Sequence, residues 1–200
     1  INMLSWATES LIVDGRALSD IQQGVTLEVM GEGWSMGPLN DSMKKDMVSR
    51  QDLVQQIPWT TLDEYLQFLE DKGVAVNVAS FVGATTIRMH ELGQTNRAPN
   101  ADELKRMKAL TRQAMEDGAL GLGSSLIYAP AFYAKTEELI ELAKVVGEFG
   151  GMYISHMRSE GNQIEAAVEE LIRISKEGKL PAEIYHLKFG GKQNWHKFDK

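Results

Sequence analysis

Two histidines stand at the ends of two strand-like apolar runs and could together begin a metal site. His156 follows the run that starts at Gly151, and His186 follows the run that starts at Pro181, 30 residues further along the chain. One helix-like segment separates the two runs. Neutral imidazoles are common zinc ligands, but a catalytic zinc site needs at least one more protein ligand and an open position for water.

Strand periodicity predicts where these two side chains point. Side chains alternate between the faces of a strand, so His156 is expected on the face of Ile154, and His186 on the face of Ile184. A strand, a helix and a further strand almost always form a right-handed parallel unit. Both histidines are therefore expected at the carboxyl edge of the sheet, where α/β folds carry their sites.

A structural role is the alternative for each histidine. A single histidine at a strand end is more often a hydrogen-bonded structural residue than a metal ligand. The second histidine in the same register makes the metal interpretation as strong as the structural one. On the pattern of residues alone, both interpretations of His156 and His186 stay open.

The composition is that of an ordinary globular protein. The 200 residues are 43% hydrophobic and 24% charged, and no apolar run is as long as a transmembrane helix. A net charge of −7 and a pI near 5.2 argue against nucleic acid as a partner, because phosphate binding needs a basic surface. The absence of cysteine excludes thiolate ligands, which leaves His, Asp and Glu for a metal.

Alternating strand-like and helix-like segments indicate an α/β fold with a parallel sheet. Strands are expected near residues 1, 25, 74, 119, 151 and 182, and helices over 11–23, 61–72, 84–92, 100–118, 136–149 and 162–178. A long polar connection, residues 38–58, is expected to carry short helices. Because a closed eight-stranded α/β barrel takes about 250 residues, we expect the first six β/α units of a parallel (β/α)8 TIM-type barrel.

Other candidate groups fit structural or surface roles better than a site. His90 lies on a predicted helix and His196 lies near the end of the chain, where surface histidines are common. Ser124-Ser125 lacks a nucleophile-elbow pattern. The loop around Glu32 lacks the lysine and the helix start of a phosphate cradle. The ten methionines are expected to fill the core rather than form a binding surface.

Four stretches of the sequence together carry a resemblance to a known family. They are Gln23-Gly-Val-Thr before the Gly31-Glu32-Gly33 loop, Gly118-Ala-Leu-Gly-Leu-Gly-Ser-Ser-Leu-Ile-Tyr-Ala-Pro, Ile154-Ser-His-Met-Arg-Ser-Glu-Gly, and His186-Leu-Lys followed by Asn194-Trp195. In this order they resemble the amidohydrolase superfamily, and within it the N-acyl-D-amino-acid deacylases. The resemblance implies a TIM-type barrel with a small β-sandwich formed by terminal segments. Residues 1–200 would be a partial barrel domain without that sandwich and without the last two strands.

The resemblance implies a zinc site that holds one tightly bound ion. By the family pattern, His156 and His186 are expected as zinc ligands, and Glu32 as the third. Strand one of the family normally carries a His-x-His pair after Ile-Asp, whereas this chain has Leu4 and Trp6 at the histidine positions. Neither an isobutyl group nor an indole can replace an imidazole ligand. The three remaining donors and a water position match a catalytic mononuclear site.

The resemblance also implies three catalytic candidates. Tyr128 is similar to the family tyrosine that helps to polarise the scissile carbonyl, Lys188 to the lysine that holds the substrate carboxylate, and Arg158 to an arginine near the site. Zinc would acidify its bound water and polarise the amide, while the tyrosine donates to the developing oxyanion. The family's proton acceptor is an aspartate on strand eight, which these 200 residues do not contain, so we expect them to be inactive alone.

Glu28 has no role in this scheme. By simple alternation it shares a face with Glu32 and lies deeper in the barrel, where an unpaired carboxylate is costly. We therefore expect either a shift in register between the two residues or a partner for Glu28.

The expected function is zinc-dependent hydrolysis of a linear amide, foremost the deacylation of N-acyl-D-amino acids to a carboxylate and a D-amino acid. A small-molecule amide is thus the expected partner, and nothing indicates the acyl group or an oligomeric state. One alternative is a cyclic amidase of the dihydroorotase or hydantoinase type. Another is a non-catalytic barrel that has lost part of its metal site, which the missing His-x-His pair favours.

The residues do not identify the compartment of the protein. The sequence begins at Ile1 without an initiator methionine or a signal segment, so we expect the natural N-terminus to lie further upstream. The cytoplasm and the periplasm of a bacterium are the two locations that stay open.

Overall fold

Parallel strands form the centre of the molecule. The computed structural model describes residues 1–50 and 57–198. The strands are β1 (Leu27–Met30), β2 (Asn77–Ser80), β3 (Val82–Gly83), β4 (Gly121–Ser125), β5 (Met152–His156) and β6 (Ala182–Ile184). Strands that pair with each other are neighbours in the chain order, and each of these pairings is parallel. This arrangement is typical of an α/β barrel wall, as the sequence predicts.

The strand predicted near residue 74 bends at Phe81. Before the bend β2 pairs with β1, and after it β3 pairs with β4. The Phe81 N–H still donates to Met30 O at 2.9 Å, so the segment remains attached to β1 through the bend. The segment predicted near residue 1 contributes a single parallel bridge, between Asn2 and Glu28. Five of the six predicted strand positions are therefore confirmed, and the one near residue 1 forms only this bridge.

Helices flank the strands throughout the described residues. The α-helices are α1 (Ser10–Val13), α2 (Leu18–Gln22), α3 (Asp41–Arg50), α4 (Leu62–Lys72), α5 (Ala84–Leu92), α6 (Ala101–Glu116), α7 (Thr136–Glu148) and α8 (Ile164–Gly178). Two short 3-10 helices span Ala131–Tyr133 and Lys192–Lys197. Thr61 and Asn100 form capping boxes at the starts of α4 and α6. Of the helices described, none combines the length and apolarity needed to cross a membrane.

Apolar side chains pack in two layers. A large cluster lies between the strands and the helices and includes Leu62, Ile87, Leu142 and Ile174. A small cluster contains Val29, Phe81, Ile154 and Tyr185. The small cluster joins side chains from strands that do not pair with each other, such as β1 and β5, because the sheet curves around it. The small cluster is therefore the inner, barrel-side core.

The prediction that the isoleucine of each strand shares the inner face with the histidine is confirmed for β5 and wrong for β6. Ile154 of β5 belongs to the inner cluster, as predicted. In β6, however, Ile184 packs against the outer cluster, and the residue that enters the inner cluster is Tyr185. Alternation fails because His186 has a positive φ of 37°, which turns the chain beyond the strand end. His186 thus reaches the inner edge by a turn rather than by strand periodicity.

Both expected explanations hold for Glu28, namely a shift in register and a hydrogen-bond partner. Glu28 is 1% exposed and lines a cavity with Leu11 of α1 and Leu18 of α2, on the helix side of the sheet. Gly31, with a φ of 103°, breaks the alternation between Glu28 and Glu32. In addition, Asn2 Nδ2 donates to Glu28 Oε2 at 2.9 Å. Glu28 therefore does not lie beneath Glu32 inside the barrel, where simple alternation would place it.

The single helix predicted over residues 11–23 is wrong. The chain forms two short helices, α1 and α2, separated by a turn at Gly15. Two contacts hold this turn. The Ala75 N–H donates to Gly15 O at 2.7 Å, and the Asp14 carboxylate accepts from the Arg16 backbone N–H at 3.0 Å. The turn is therefore tied to the approach of β2, which the local sequence does not encode.

Two further predictions need correction or restriction. The helix predicted to begin at residue 162 begins at Ile164, and its N-cap residue, Gln163, makes no side-chain cap bond. Asn162 Oδ1 instead accepts from Asn194 Nδ2 at 3.1 Å. The predicted short helices of residues 38–58 are represented by α3, while residues 51–56 lie outside the described part of the chain.

A buried ion pair joins α5 to α7. Arg88 and Glu138 have side chains that are 1% and 4% exposed, and Arg88 Nη1 donates to Glu138 Oε2 at 2.6 Å. Arg88 Nη2 also donates to the carbonyl oxygens of Thr95 and Arg97. Burial raises the pKa of Glu138, and the positive charge of Arg88 opposes that rise.

We expect Arg88→Ala to lower the free energy of unfolding by about 3–5 kcal/mol, because it leaves the Glu138 carboxylate buried without its partner. The double variant Arg88→Met with Glu138→Leu should recover most of that loss, since it removes both charges. Urea unfolding of the full-length protein measures both values. Arg173→Ala, which breaks exposed ion pairs, is the control, and an equal loss there would contradict the assignment.

Candidate metal centre

Three side chains from distant parts of the sequence meet at the carboxyl edge of the strands. They are Glu32 from the loop after β1, His156 at the end of β5, and His186 just after β6. One ligand atom from each lies within 4.8 Å of the other two. The sequence prediction that these three residues come together is confirmed.

The backbone of the Gly31-Glu32-Gly33 loop brings the carboxylate of Glu32 inward. Gly31 has a φ of 103°, and a Cβ there would lie 2.3 Å from Phe81 O. Gly33 has a φ of 76°, and a Cβ there would lie 2.9 Å from the Ser125 side chain. Both positions therefore need glycine. The Ser125 hydroxyl then fixes the loop by donating to Glu32 O at 3.1 Å.

The two imidazoles each direct one nitrogen at the same oxygen of Glu32. His156 Nδ1 lies 3.0 Å from Glu32 Oε1, and His186 Nε2 lies 3.4 Å from it. The two rings are 4.5 Å apart and nearly perpendicular. Two imidazole nitrogens and one carboxylate oxygen form a known donor set of catalytic zinc sites.

The spacing of these donors fits a metal. Ligands 2.0–2.1 Å from a tetrahedral zinc lie about 3.3 Å from each other. The observed separations of 3.0 and 3.4 Å bracket that value. The remaining nitrogen of His156, Nε2, is buried without a hydrogen-bond partner.

Glu160 is a site residue that the sequence analysis missed. Its Oε1 lies 3.4 Å from His156 Nε2 and 3.2 Å from His186 Nδ1, so it faces the nitrogen of each ring that Glu32 does not. A carboxylate behind the second nitrogen of a metal-binding histidine orients the ring and raises its basicity. The available signal was the position of Glu160 four residues after His156, just beyond the strand end.

Lys188 and Tyr128 complete the rim of the site. Lys188 Nζ donates to Glu160 Oε1 and lies 3.1 Å from His186 Nδ1. The ring of Tyr128, which is 60% exposed, lies 5.3 Å from the ring of His156. Lys188, Tyr128 and the proposed metal ligands line one cavity of about 540 Å³, here called the site cavity. Lys188 and Tyr128 thus face the same cavity as the two histidines, whereas their catalytic roles stay predictions.

Arg158 holds the loop that follows β4. Its guanidinium donates to both oxygens of Glu170 at 2.9 Å, to Phe132 O at 2.8 Å and to Ala134 O at 2.9 Å. These contacts direct it toward α8 and the 3-10 helix, away from the Glu32 carboxylate. The structure therefore does not bring Arg158 together with the other predicted site residues, and its catalytic role stays a prediction.

Trp6 contacts the site although it cannot be a metal ligand. Its Nε1 donates to Glu32 Oε2 at 2.8 Å, while Oε1 of the same carboxylate faces the imidazoles. From the sequence, Trp6 is expected only to replace a metal-ligating histidine of the family. The indole in fact fixes the rotation of the carboxylate, because each of its two oxygens has a different partner.

Tyr185 lies beneath the site in the inner cluster. Burial raises the pKa of its phenol well above the usual range, and the nearby Glu32 carboxylate raises it further. Tyr185 thus stays protonated and neutral below the metal centre, so it adds no negative charge to a region that already holds two carboxylates.

The remaining candidates stay outside the site or support it indirectly. His90 is partly buried on α5, and its Nδ1 lies 3.0 Å from Glu91 Oε1. His196 is exposed. The Ser124 hydroxyl bonds to Tyr153 and Ser155 in the outer core. None of these contacts the donor cluster, in agreement with the sequence analysis.

The chain is similar to known proteins along most of its length. D-aminoacylase of Alcaligenes xylosoxydans xylosoxydans is 36% identical over 176 residues, which are 88% of this chain and 36% of that protein. The chain thus spans little more than a third of the length of the curated relatives it matches. No model of a protein family matches it.

Two solved structures extend the similarity to the fold. One is a D-aminoacylase that was studied for one-metal activation and second-metal attenuation of its binuclear metal centre. It has a TM-score of 0.84 and is 32% identical, and the match covers 99% of this chain and 42% of that chain. The other is N-acyl-D-glutamate deacylase from Bordetella bronchiseptica, complexed with zinc and a phosphonate inhibitor that mimics the tetrahedral intermediate. It has a TM-score of 0.83 and is 28% identical, and the match covers 98% of this chain and 42% of that chain. The TIM-type barrel fold predicted from the sequence is confirmed by these matches.

We expect Trp6→Phe to raise the zinc dissociation constant about tenfold, because it removes the donor that orients Glu32 and keeps an aromatic ring in place. Competition with a chromogenic chelator measures this constant in the full-length protein. Trp195→Phe, at an indole that is 60% exposed, is the matched control. Equal zinc affinities of the two variants would show that the indole does not position the carboxylate.

Proposed function

Because the chain belongs to the N-acyl-D-amino-acid deacylases of the amidohydrolase superfamily, we propose that the full-length protein is a zinc-dependent deacylase. It hydrolyses the amide of an N-acyl-D-amino acid to a carboxylate and a D-amino acid. One observation supports this most, namely the convergence of Glu32, His156 and His186 in a cavity that also holds Tyr128 and Lys188. The names of the relatives supply the amide and the D-configuration, which the geometry alone does not specify.

Glu32, His156 and His186 would hold the zinc, with Glu160 orienting the two imidazoles. The bound metal supplies a Lewis acid for the amide carbonyl and an acidified water as the nucleophile. Both histidines must be neutral to act as ligands. Glu160 supports this arrangement because its carboxylate lies beside the remaining nitrogen of each ring, 3.4 Å from His156 Nε2 and 3.2 Å from His186 Nδ1.

Tyr128 would stabilise the charge that develops on the carbonyl oxygen. Its phenol is exposed to the site cavity and adjoins His156, so its O–H can donate to an oxyanion held above the metal ligands. Arg158 supports this role from a distance, since it bonds to Phe132 O and Ala134 O in the loop that follows Tyr128. We therefore propose that Arg158 positions the loop rather than contacting the substrate.

Lys188 would bind the carboxylate of the amino-acid portion. The ammonium already faces Glu160, so a substrate carboxylate adds a second anion to a cation that its neighbours hold in place. The proton of the attacking water must pass to the leaving amine through a further base. We expect this base to be an aspartate in a part of the full-length protein beyond residue 200.

A single zinc ion is the proposed metal content. Leu4 packs against the inner cluster, and Trp6 donates its only N–H to Glu32, so neither offers a metal donor. We expect metal analysis of the full-length protein after dialysis to find one zinc per chain. Two retained ions would show that other residues complete a second site, and no retained zinc would contradict the proposed function.

Two substitutions separate the proposed roles at the rim. Tyr128→Phe should lower kcat about a hundredfold with little change in KM, because the lost donor acts in the transition state. Lys188→Ala should raise KM at least tenfold, since a charge-assisted contact to the substrate carboxylate is lost. Steady-state kinetics with an N-acetyl-D-amino acid and its L-enantiomer measure both effects.

Tyr133→Phe and Lys192→Ala are the matched controls and should behave as the wild type. Zinc content is measured for every variant, because Lys188 also contacts His186. Wild-type kinetics in both rim variants would contradict the assigned roles. Equal turnover of the two enantiomers would remove the D-specific part of the proposal.

A further inference from the structure

A second cavity adjoins the metal centre on the β1 side. It has a volume of about 310 Å³, near the lower end of the range for small-ligand pockets. Four of the ten methionines of the chain line it, together with Leu39, and it is here called the methionine cavity. These methionines are Met36, Met43, Met47 and Met89. The methionines were expected to fill the core. Met36 and Met43 do so, because they are buried in the outer core, but they also line this cavity.

The methionine cavity adjoins the site cavity. Trp6, Glu32 and Trp34 line both of them. The boundary is thus formed by two indoles and by the carboxylate of the proposed metal ligand. A molecule whose reacting carbon lies at the metal centre could therefore extend a chain past the indoles into the methionine cavity.

The charges around the methionine cavity disfavour an anion. The charged side chains of its described lining are Glu9, Glu32 and Asp46, all acidic, with no lysine, arginine or histidine among them. A carboxylate placed there would meet like charges and lose hydration. Methionine side chains, by contrast, are flexible and adapt to apolar groups of different shape. The chemistry of the lining thus selects a neutral, apolar group.

The direction of the cavity distinguishes the two ends of the substrate. Lys188, which would bind the amino-acid carboxylate, lies on the β6 side of the metal ligands. The amino-acid side chain shares its carbon with that carboxylate and so stays on the same side. The acyl chain is bonded to the carbonyl carbon, opposite the amide nitrogen. It therefore extends away from Lys188, toward β1 and the methionine cavity.

We propose that the methionine cavity binds the acyl chain of the substrate and favours neutral aliphatic chains longer than acetyl. This inference rests on the proposed deacylase function and extends it to the identity of the acyl group. The side chains of Met43, Met47 and Met89 then act as the walls that contact the chain.

Substrates of increasing acyl length test the proposal in the full-length zinc enzyme. With one D-amino acid throughout, kcat/KM should rise about fifteenfold from N-acetyl to N-butyryl, which corresponds to two buried methylenes at about 0.8 kcal/mol each. Met47→Trp, which fills the cavity, should abolish this rise. The ratio of the two kcat/KM values is measured within one preparation, so it does not depend on the fraction of folded variant. Met3→Trp, at an exposed methionine, should keep the wild-type ratio.

A binding measurement separates this proposal from the proposed activity. Methionine methyl groups labelled with carbon-13 are observed by NMR while hexanamide is added to the full-length zinc protein. The methyls of Met43, Met47 and Met89 should shift, and those of Met3 and Met152 should not. Shifts at these residues without turnover of any N-acyl-D-amino acid would disprove the activity and retain the apolar site.

Two outcomes would overturn the acyl assignment. The first is turnover with equal kcat/KM for all chain lengths and no shift of the three methyls. The second is a dependence on the size of the amino-acid side chain that Met47→Trp removes, which would place the other end of the substrate in the cavity.

Discussion

The Glu32 carboxylate is the group on which the site depends. It is 7% exposed, and a buried carboxylate is tolerated only where its neighbours compensate the lost hydration. Trp6 donates to one oxygen, and the two imidazoles face the other. Three separate segments of the chain are thus held by one functional group. The flanking glycines, the Ser125 bond and the bend at Phe81 all serve to bring this carboxylate inward.

Much of the fold could be predicted because it follows local rules. The strand positions, the capping boxes at Thr61 and Asn100, and the amphipathic helices each arise from neighbouring residues. Tertiary contacts explain where the helix boundaries predicted from the sequence were wrong. The turn at Gly15 is held by Ala75, and Asn162 is bonded to Asn194 rather than to its own helix. Neither partner is visible from the local sequence.

The site could be predicted in its residue types and less well in its geometry. Glu32, His156 and His186 were identified from strand ends and from the family resemblance. The inward position of His186 was not predicted by strand alternation, because it depends on a positive φ at His186, beyond the end of β6. Glu160 could have been found, since a charged residue so close to a strand-end histidine must lie near it.

Asn2 is the hydrogen-bond partner of the buried Glu28 carboxylate. Asn2 donates an amide hydrogen to a carboxylate that is almost fully buried. An aspartate at this position would place two acidic groups together and leave Glu28 without its donor. The same end of the chain also carries Leu4 and Trp6, so the first strand contributes structure and orientation to the site and no metal donor.

The curvature of the sheet has a consequence for how the chain folds. In a flat sheet, four strand spacings would separate β1 from β6 by about 19 Å, yet Glu32 Oε1 and His186 Nε2 lie 3.4 Å apart. These two residues are 154 positions apart in the sequence, so closing the loop between them carries a large entropic cost that precedes any gain from the contact. The donor cluster is therefore expected to assemble late, after the intervening β/α units have formed. A complete donor cluster then requires that β1 to β6 have already folded into the curved sheet.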